Sequence, residues 1–413
     1  MINTGIDIIE ISRFSDMKNF DAFLKYAYTK KEREYITQKK NPYRTAAAMF
    51  AAKEAFSKYL GSGFRGFGLK DVEILHDGIG KPHIIFMNGA ASADVSISHS
   101  KNYAVAVVCG EGVPNGKYED LIKSYRAMLP KRTPHMHKGD CGRVMIIGGS
   151  QRMVGAACLA STAALHSGSG LVTAAVPKSI QPVAAAKLTE VMTLPLDCEE
   201  HPEDLNITFS AKAAKQIPPY LNRCDAVAIG PGMGRGDGAA ELLKTVLKTE
   251  IPCVIDADGL NTLSENTGIL ADVPKSRGNI IITPHPIEME RLCGEKVPSD
   301  DKGRMKLAAE FAAKYNVVVL LKGHNTVVAA PNGEVHINES GNSGMATGGM
   351  GDVLTGIITS FCGQGMSAYN AAVLGAFVHG LGGDMAAEDK GKFGMSACDV
   401  VEKLPYAIKF LSE

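Results

Sequence analysis

The chain has 413 residues, enough for two or three domains, and its 45% hydrophobic and 21% charged content is that of an ordinary globular protein. Its 44 basic and 44 acidic side chains cancel, which argues against a nucleic-acid partner engaged through a broad basic face. The nine cysteines are scattered without a CxxC pair, no stretch reaches the roughly 18 apolar residues of a membrane span, and Asp7 and Glu10 spoil any signal-peptide layout.

A soluble cytoplasmic protein with reduced thiols, no structural zinc and no membrane partner is therefore expected. Ile6 to Ile11 reads as a strand. Thr29 and Glu32 are spaced as a capping box opening a helix. Ala46 to Leu60 reads as a helix ended by Gly61, and Val95–Ser98 and Tyr103–Val108 as paired strands. The Gly, Pro and Asn of Gly110–Gly116 make a linker, followed by a short helix from Tyr118 to Leu129 stopped by Pro130. This gives a first domain over 1–113, a linker and helix over 114–136, and a second domain over 137–413. Residues 1–113 hold 15 Lys and Arg against 12 Asp and Glu, a net of +3.

The first domain reads as α+β. The second alternates short apolar strands with helices such as Ala156–Ser167 and Ala239–Lys248. Its strands are expected at Arg143–Ile147, Leu171–Ala175, Ala226–Ile229, Cys253–Ile255, Ile280–Ile282, Val317–Leu321 and Thr326–Ala329. Continuous apolar runs suit buried parallel strands, so a doubly wound α/β domain is predicted. Ligands in such domains bind beyond the carboxyl ends of the strands. The polar motifs fall there: Gly148-Gly149-Ser150, Gly230-Pro231-Gly232-Met233-Gly234, Asp256-Ala257-Asp258, Thr283-Pro284-His285-Pro286 and Lys322-Gly323-His324-Asn325-Thr326.

The densest motif is the glycine run from Gly344 to Gly356, where Asp352 precedes the apolar Val353 and Leu354. Backbone N–H groups of such a loop can cradle an anion at a helix N-terminus. Asp352 would then be placed to take a proton from a hydroxyl that attacks a phosphate, unless it is an ordinary helix cap. Lys322 at a strand end can meet a nucleotide phosphate or stay solvated. His285 sits in a rigid turn between two prolines. Asp256 and Asp258 could serve a metal or substrate hydroxyls, or cap the next helix. In the first domain Asp7 and Glu54 could hold Mg²⁺ beside Lys58 for a diphosphate substrate, or Glu54 and Lys58 could form a surface i,i+4 pair.

Taken with these motifs and with His137-Lys138-Gly139, Gly155-Ala156-Ala157 and Gly168 to Thr173, residues 137–410 resemble the ADP- or ATP-dependent NAD(P)H-hydrate dehydratases of the ribokinase-like fold. The resemblance implies repair of hydrated NADH or NADPH: the ring hydroxyl is phosphorylated by ADP or ATP and phosphate leaves. It implies Asp352 as base, with Ala156, Gly234 and His285 lining the substrate pocket. Lys322, Gly323, His324, Asn325, Thr326, Gly349, Met350 and Gly351 would hold the nucleotide. Ile287 and Ala346 stand where the family often has glycine.

Residues 1–112 resemble holo-acyl-carrier-protein synthase, on Gly5-Ile6-Asp7-Ile8 with Glu10 and Arg13, Thr29 with Glu32, Phe50 to Lys58 with Gly61 and Gly63, Gly80-Lys81-Pro82, and Val95 to Ser100. That resemblance implies transfer of 4′-phosphopantetheine from coenzyme A to a serine of acyl carrier protein, with Mg²⁺ on Asp7 and Glu54. Lys58, Gly61, Gly63 and His99 would contact coenzyme A, and Arg13 the acidic carrier. Met49 departs from the family's arginine. A homo-oligomer, a trimer in the first domain, is implied as well. The alternative is a ribokinase-like small-molecule kinase whose first domain is a silent oligomerisation module.

Overall fold

The computed structural model describes residues 2–60, 68–86, 89–90, 93–111, 116–201, 206–265, 267–271 and 278–412. They divide into two units, Met1–Lys123 and Ser124–Glu413. The helix Gly116–Met128 spans the join between them, and Gly61 and Gly63 lie outside the described residues.

In the first unit Ile2–Glu10, Tyr103–Glu111 and Ala93–His99 form an antiparallel sheet with Tyr103–Glu111 in the centre. The first strand begins four residues before its expected start, because pairing with Tyr103–Glu111 extends it from Ile2. Its residues alternate, so that Gly5, Asp7 and Ile9 share one face and Ile6 and Ile8 the other. The helix Pro42–Tyr59 covers the first of these faces, with Pro42 in its first turn and Asn41 Oδ1 accepting from the Arg44 N–H. Its buried side is mostly alanine, which allows close approach. At the crossing point a Cβ on Gly5 would lie 2.0 Å from the Ala55 carbonyl oxygen, so no larger residue fits there.

The expected capping box at Thr29 and Glu32 forms, and Glu32 does more than cap. It lies buried against the Lys53 ammonium at 2.9 Å, while Lys53 also donates to the carbonyls of Leu69 and Val72. Every polar atom of this pair is thus engaged, as a buried pair requires. The pair fixes the rotation of the helix on which Glu54 is the next residue. The hairpin it anchors, Val72–His76 with Pro82–Phe86, went unread in the sequence.

The second unit is built on a nine-stranded sheet. In space its order is Val335–Asn338, Thr326–Ala329, Val318–Leu321, Ile280–Ile282, Cys253–Ile255, Ala226–Ile229, Arg143–Ile147, Leu171–Pro177 and Met192–Leu196. All neighbours from Val318–Leu321 to Met192–Leu196 pair in parallel, and the two strands at the first edge are antiparallel. The order reverses between Arg143–Ile147 and Ala226–Ile229, and that switch point opens the crevice at the carboxyl ends of the strands. Helices cover both faces. Met145, Val227 and Cys253 pack with Leu242, Leu243 and Phe311, while the alternate residue Val144 meets the helix Met350–Gly363 at Gly363.

Replacing Gly5 with alanine is expected to push the helix Pro42–Tyr59 off the sheet and to destabilise the first unit by about 3 kcal/mol. Thermal unfolding monitored by circular dichroism checks this, and an unchanged Tm would show that the crossing is looser than the Gly5–Ala55 approach implies.

Candidate active sites in the two units

In the second unit the glycine run ends a loop whose short helical turn is Ser343–Met345. Gly349 then takes φ +90° as the cap residue of the helix Met350–Gly363. That left-handed turn directs the first N–H groups of the helix into the crevice, where an anion is favoured. Asp352 lies in the first turn, half-buried, and among the described residues no group donates a hydrogen bond to its carboxylate.

Burial pushes the Asp352 carboxyl up to about 7, the nearby Asp256 adds to this, Lys322 opposes it, and Asp258 adds further. A carboxylate that titrates near neutrality and has no fixed partner is suited to general-base work. Lys322 follows the strand Val318–Leu321, and its ammonium sits 2.8 Å from Asp256 Oδ1 and 3.9 Å from Glu288 Oε2. Burial alone would lower the Lys322 pKa, but those carboxylates outweigh it and raise it.

The loop after Lys322 is set by a residue that the sequence reading passed over. Arg304, buried in the helix Asp301–Tyr315, donates to the carbonyls of His324 at 2.6 Å, Asn325 at 3.1 Å, Leu321 at 3.2 Å and Lys322 at 3.3 Å. Asn325 adopts φ +56° and donates to Asp301, and the Thr326 hydroxyl donates to the Gly323 carbonyl. Gly323 and His324 are left exposed at the rim.

His285 caps the helix Pro286–Cys293: its Nδ1 accepts from the N–H groups of Ile287 and Glu288, and Glu288 Oε2 accepts in return from the His285 N–H. That leaves Nε2 on the outer side of the ring, 3.4 Å from Glu288 Oε1. Burial and then Lys322 hold the His285 pKa below the usual imidazole value. Gly234 donates to Asp258 Oδ2 at 2.9 Å, and Ala156 packs against Gly232. The two aspartates whose roles stayed open are thereby separated: Asp258 holds the Gly230–Gly234 loop, and Asp256 ties Lys322 to Thr355. Glu288, Thr355 and Arg304 all escaped the sequence reading. Only Glu288 carried a signal, as the fourth residue of a capping box begun by His285.

In the first unit the helix brings Glu54, Lys58 and the strand residue Asp7 together. Lys58 does not pair with Glu54: its ammonium contacts Asp7 Oδ1 at 2.8 Å and the Ile6 carbonyl at 3.0 Å. Burial raises the Glu54 pKa, Asp7 adds to the rise, and Lys58 and Arg13 oppose it, so all four groups share one electrostatic cluster. His99 ends the strand Ala93–His99 in register with Ala104, on the sheet face shared with Asp7 and Ile9. Met49, where an arginine was looked for, is 1% exposed in the core cluster and does not reach the site. Two carboxylates beside a cation fit Mg²⁺, which commonly takes one or two protein carboxylates and completes its shell with phosphate oxygens and water.

A glycine-capped helix with a raised carboxylate, beside a strand-end lysine at the carboxyl ends of a mostly parallel sheet, belongs to a ribokinase-like α/β fold. The family model of NAD(P)H-hydrate dehydratases matches residues 144–406, and that of the 4′-phosphopantetheinyl transferase superfamily matches residues 3–108. The chain belongs to the NAD(P)H-hydrate dehydratase family, and the segment ahead of that match is similar to the 4′-phosphopantetheinyl transferase superfamily. It is 44% identical over 289 residues to the bifunctional NAD(P)H-hydrate repair enzyme Nnr of Moorella thermoacetica, covering 70% of this chain and 53% of that protein. It is 36% identical to the ADP-dependent (S)-NAD(P)H-hydrate dehydratase of Neisseria meningitidis, over 65% of this chain and 88% of the other. Among solved structures, the ADP/ATP-dependent NAD(P)H-hydrate dehydratase of Bacillus subtilis, co-crystallised with ATP and Mg²⁺, superposes with a TM-score of 0.59 at 29% identity, over 70% of this chain and 97% of that one. The chain thus spans about half the length of the bifunctional repair enzymes it matches.

Two outcomes follow from this geometry. Because the folded Asp352 carboxyl binds its proton more tightly than an unfolded one, stability falls as pH rises from about 4 through 7. Asp352→Asn should therefore stabilise the second unit by about 2 kcal/mol at pH 8 and not at pH 4. Thermal unfolding at the two pH values reads this directly. Arg304→Met, which frees four carbonyls, should lower stability by about 3 kcal/mol and raise the KM for nucleotide at least about tenfold, checked by unfolding and initial rates.

Proposed function

We propose that the second unit dehydrates hydrated NADH or NADPH using ADP or ATP, and that the first transfers 4′-phosphopantetheine from coenzyme A to acyl carrier protein. The observation that carries the first reading is Asp352: a free, half-buried carboxyl titrating near 7 at the N-terminus of a glycine-capped helix. In the ionised form it takes the proton of the ring hydroxyl as that oxygen attacks the terminal phosphorus of the nucleotide. The N–H groups of Gly349, Met350 and Gly351 stabilise the charge on the transferred group, and Lys322 meets the phosphates. Gly323, His324, Asn325 and Thr326 form the rest of the nucleotide loop, and Ala156, Gly234 and His285 bound the pocket of the hydrated cofactor. The nucleotide leaves one phosphate shorter, and loss of the phosphate together with a proton from the adjacent ring carbon restores the ring double bond.

The second reading rests on the cluster of Asp7, Glu54, Lys58 and Arg13. Asp7 and Glu54 would hold Mg²⁺, which neutralises diphosphate charge. Lys58 is free to turn from Asp7 to phosphate, while His99, with Gly61 and Gly63, belongs to the same coenzyme A site. Arg13 and the net +3 of residues 1–113 suit an acidic carrier protein. Ile6 and Ile8 are 58% and 62% exposed, in register with Val107 and Val105 across the sheet. A second copy of this chain would cover that apolar face, so a homo-oligomer, a trimer in the first unit, is proposed. These substrates and the nine free cysteines fit the cytoplasm.

The purified chain should restore dihydronicotinamide absorbance to hydrated NADH, given Mg²⁺ and either ADP or ATP, with release of free phosphate. Asp352→Asn should abolish this by a factor of about 10³ or more. A stable phosphate ester in place of free phosphate would instead make the second unit a small-molecule kinase. Asp7→Ala and Glu54→Ala should each abolish carrier-protein modification, followed by mass spectrometry. Unchanged modification in both variants would refute the metal site.

A further inference from the structure

Asp256 follows the strand Cys253–Ile255 and is 1% exposed. A carboxylate so deep in the protein needs full pairing, and it has it on both oxygens. Oδ1 accepts from the Lys322 ammonium at 2.8 Å, and Oδ2 accepts from the Thr355 hydroxyl at 2.8 Å. Thr355 is wholly buried on the helix Met350–Gly363, three residues beyond Asp352 and so on the same side of that helix. A Cβ placed on Gly351 would stand 3.3 Å from Lys322 Nζ and 3.6 Å from Asp256 Oδ2, so the ion pair lies against the first turn of the same helix.

We propose that Asp256 is a positioning residue for the transfer step, which joins Lys322 through Thr355 to the helix that carries Asp352 and so holds the phosphate-side cation and the base in one register. This rests on the dehydratase reading above. With both oxygens engaged by Lys322 and Thr355, Asp256 acts through the lysine and the helix. Its charge acts on the base as well. The groups that bear on Asp352 are Asp256, Lys322 and Asp258, and around Lys322 stand Glu288 from the helix Pro286–Cys293, its cap His285, and His379 from the helix Ala368–Gly394. Burial and then Lys322 hold both histidines below the usual imidazole range, His379 at about 4. At the base, Asp256 and Asp258 thus add to the rise that burial begins, and Lys322 opposes them.

The test uses the full chain, hydrated NADH, Mg²⁺ and ADP or ATP, with initial rates from pH 5 to 9. Asp256→Asn is expected to lower kcat on the order of 100-fold and to move the acid limb of the kcat profile about one unit lower. Thr355→Val should lower kcat about tenfold and leave the limb in place, since the charge of Asp256 remains, and Thr355→Ser should recover the rate. Wild-type kcat and an unmoved limb in Asp256→Asn would overturn the inference while the dehydratase reading stood. Should Asp256→Asn fail to fold, full activity in a folded Thr355→Val would overturn it just as well. A wild-type chain inactive with both nucleotides would overturn the reading and the inference with it.

Discussion

A carboxyl group held where its charge is disfavoured governs the second unit. Asp352 is kept near neutral pKa by burial and by Asp256, while Lys322 tempers the effect. Asp258 adds to the rise, so the carboxyl sits among three nearby charges of mixed sign. The parallel sheet makes this balance possible. It delivers Asp256 and Lys322 from strand ends and Glu288 from the helix that follows the strand between them, and it brings the helix of Asp352 to the same crevice. Arg304 then fixes the loop after Lys322 by its carbonyls.

The first unit solves a related problem with different parts. A long alanine-faced helix is pressed onto a sheet at Gly5, and the buried Lys53–Glu32 pair fixes its rotation. The result places Glu54 and Lys58 over Asp7. Lys58 occupies the carboxylate now, as a cation would. Acidic and basic groups are thus gathered there without surplus of either sign.

Much of this was legible in the chain. The glycine run, the strand-end motifs and the helix bearing Glu54 and Lys58 were placed correctly, because local backbone demands leave a mark at fixed spacing. The capping box of Thr29 and Glu32 was read for the same reason. Strands with weak patterning, such as Val72–His76, Met192–Leu196 and Val335–Asn338, were not. Short edge strands and hairpins draw their stability from neighbours far along the chain.

What the sequence determined by itself was which chemical groups each unit owns and on which elements they ride. Periodicity and turn chemistry are local, and they are written residue by residue. Only the tertiary structure decided which of those groups meet. Lys58 turned to Asp7, 51 residues away, in preference to its helical neighbour. Asp256 was claimed by Lys322 and Thr355 rather than by the helix that follows it, and Arg304 bound a loop that nothing in its own helix announces. The pairings of Asp256 and Arg304 follow from burial, which favours a partner for a charged group and is indifferent to distance along the chain.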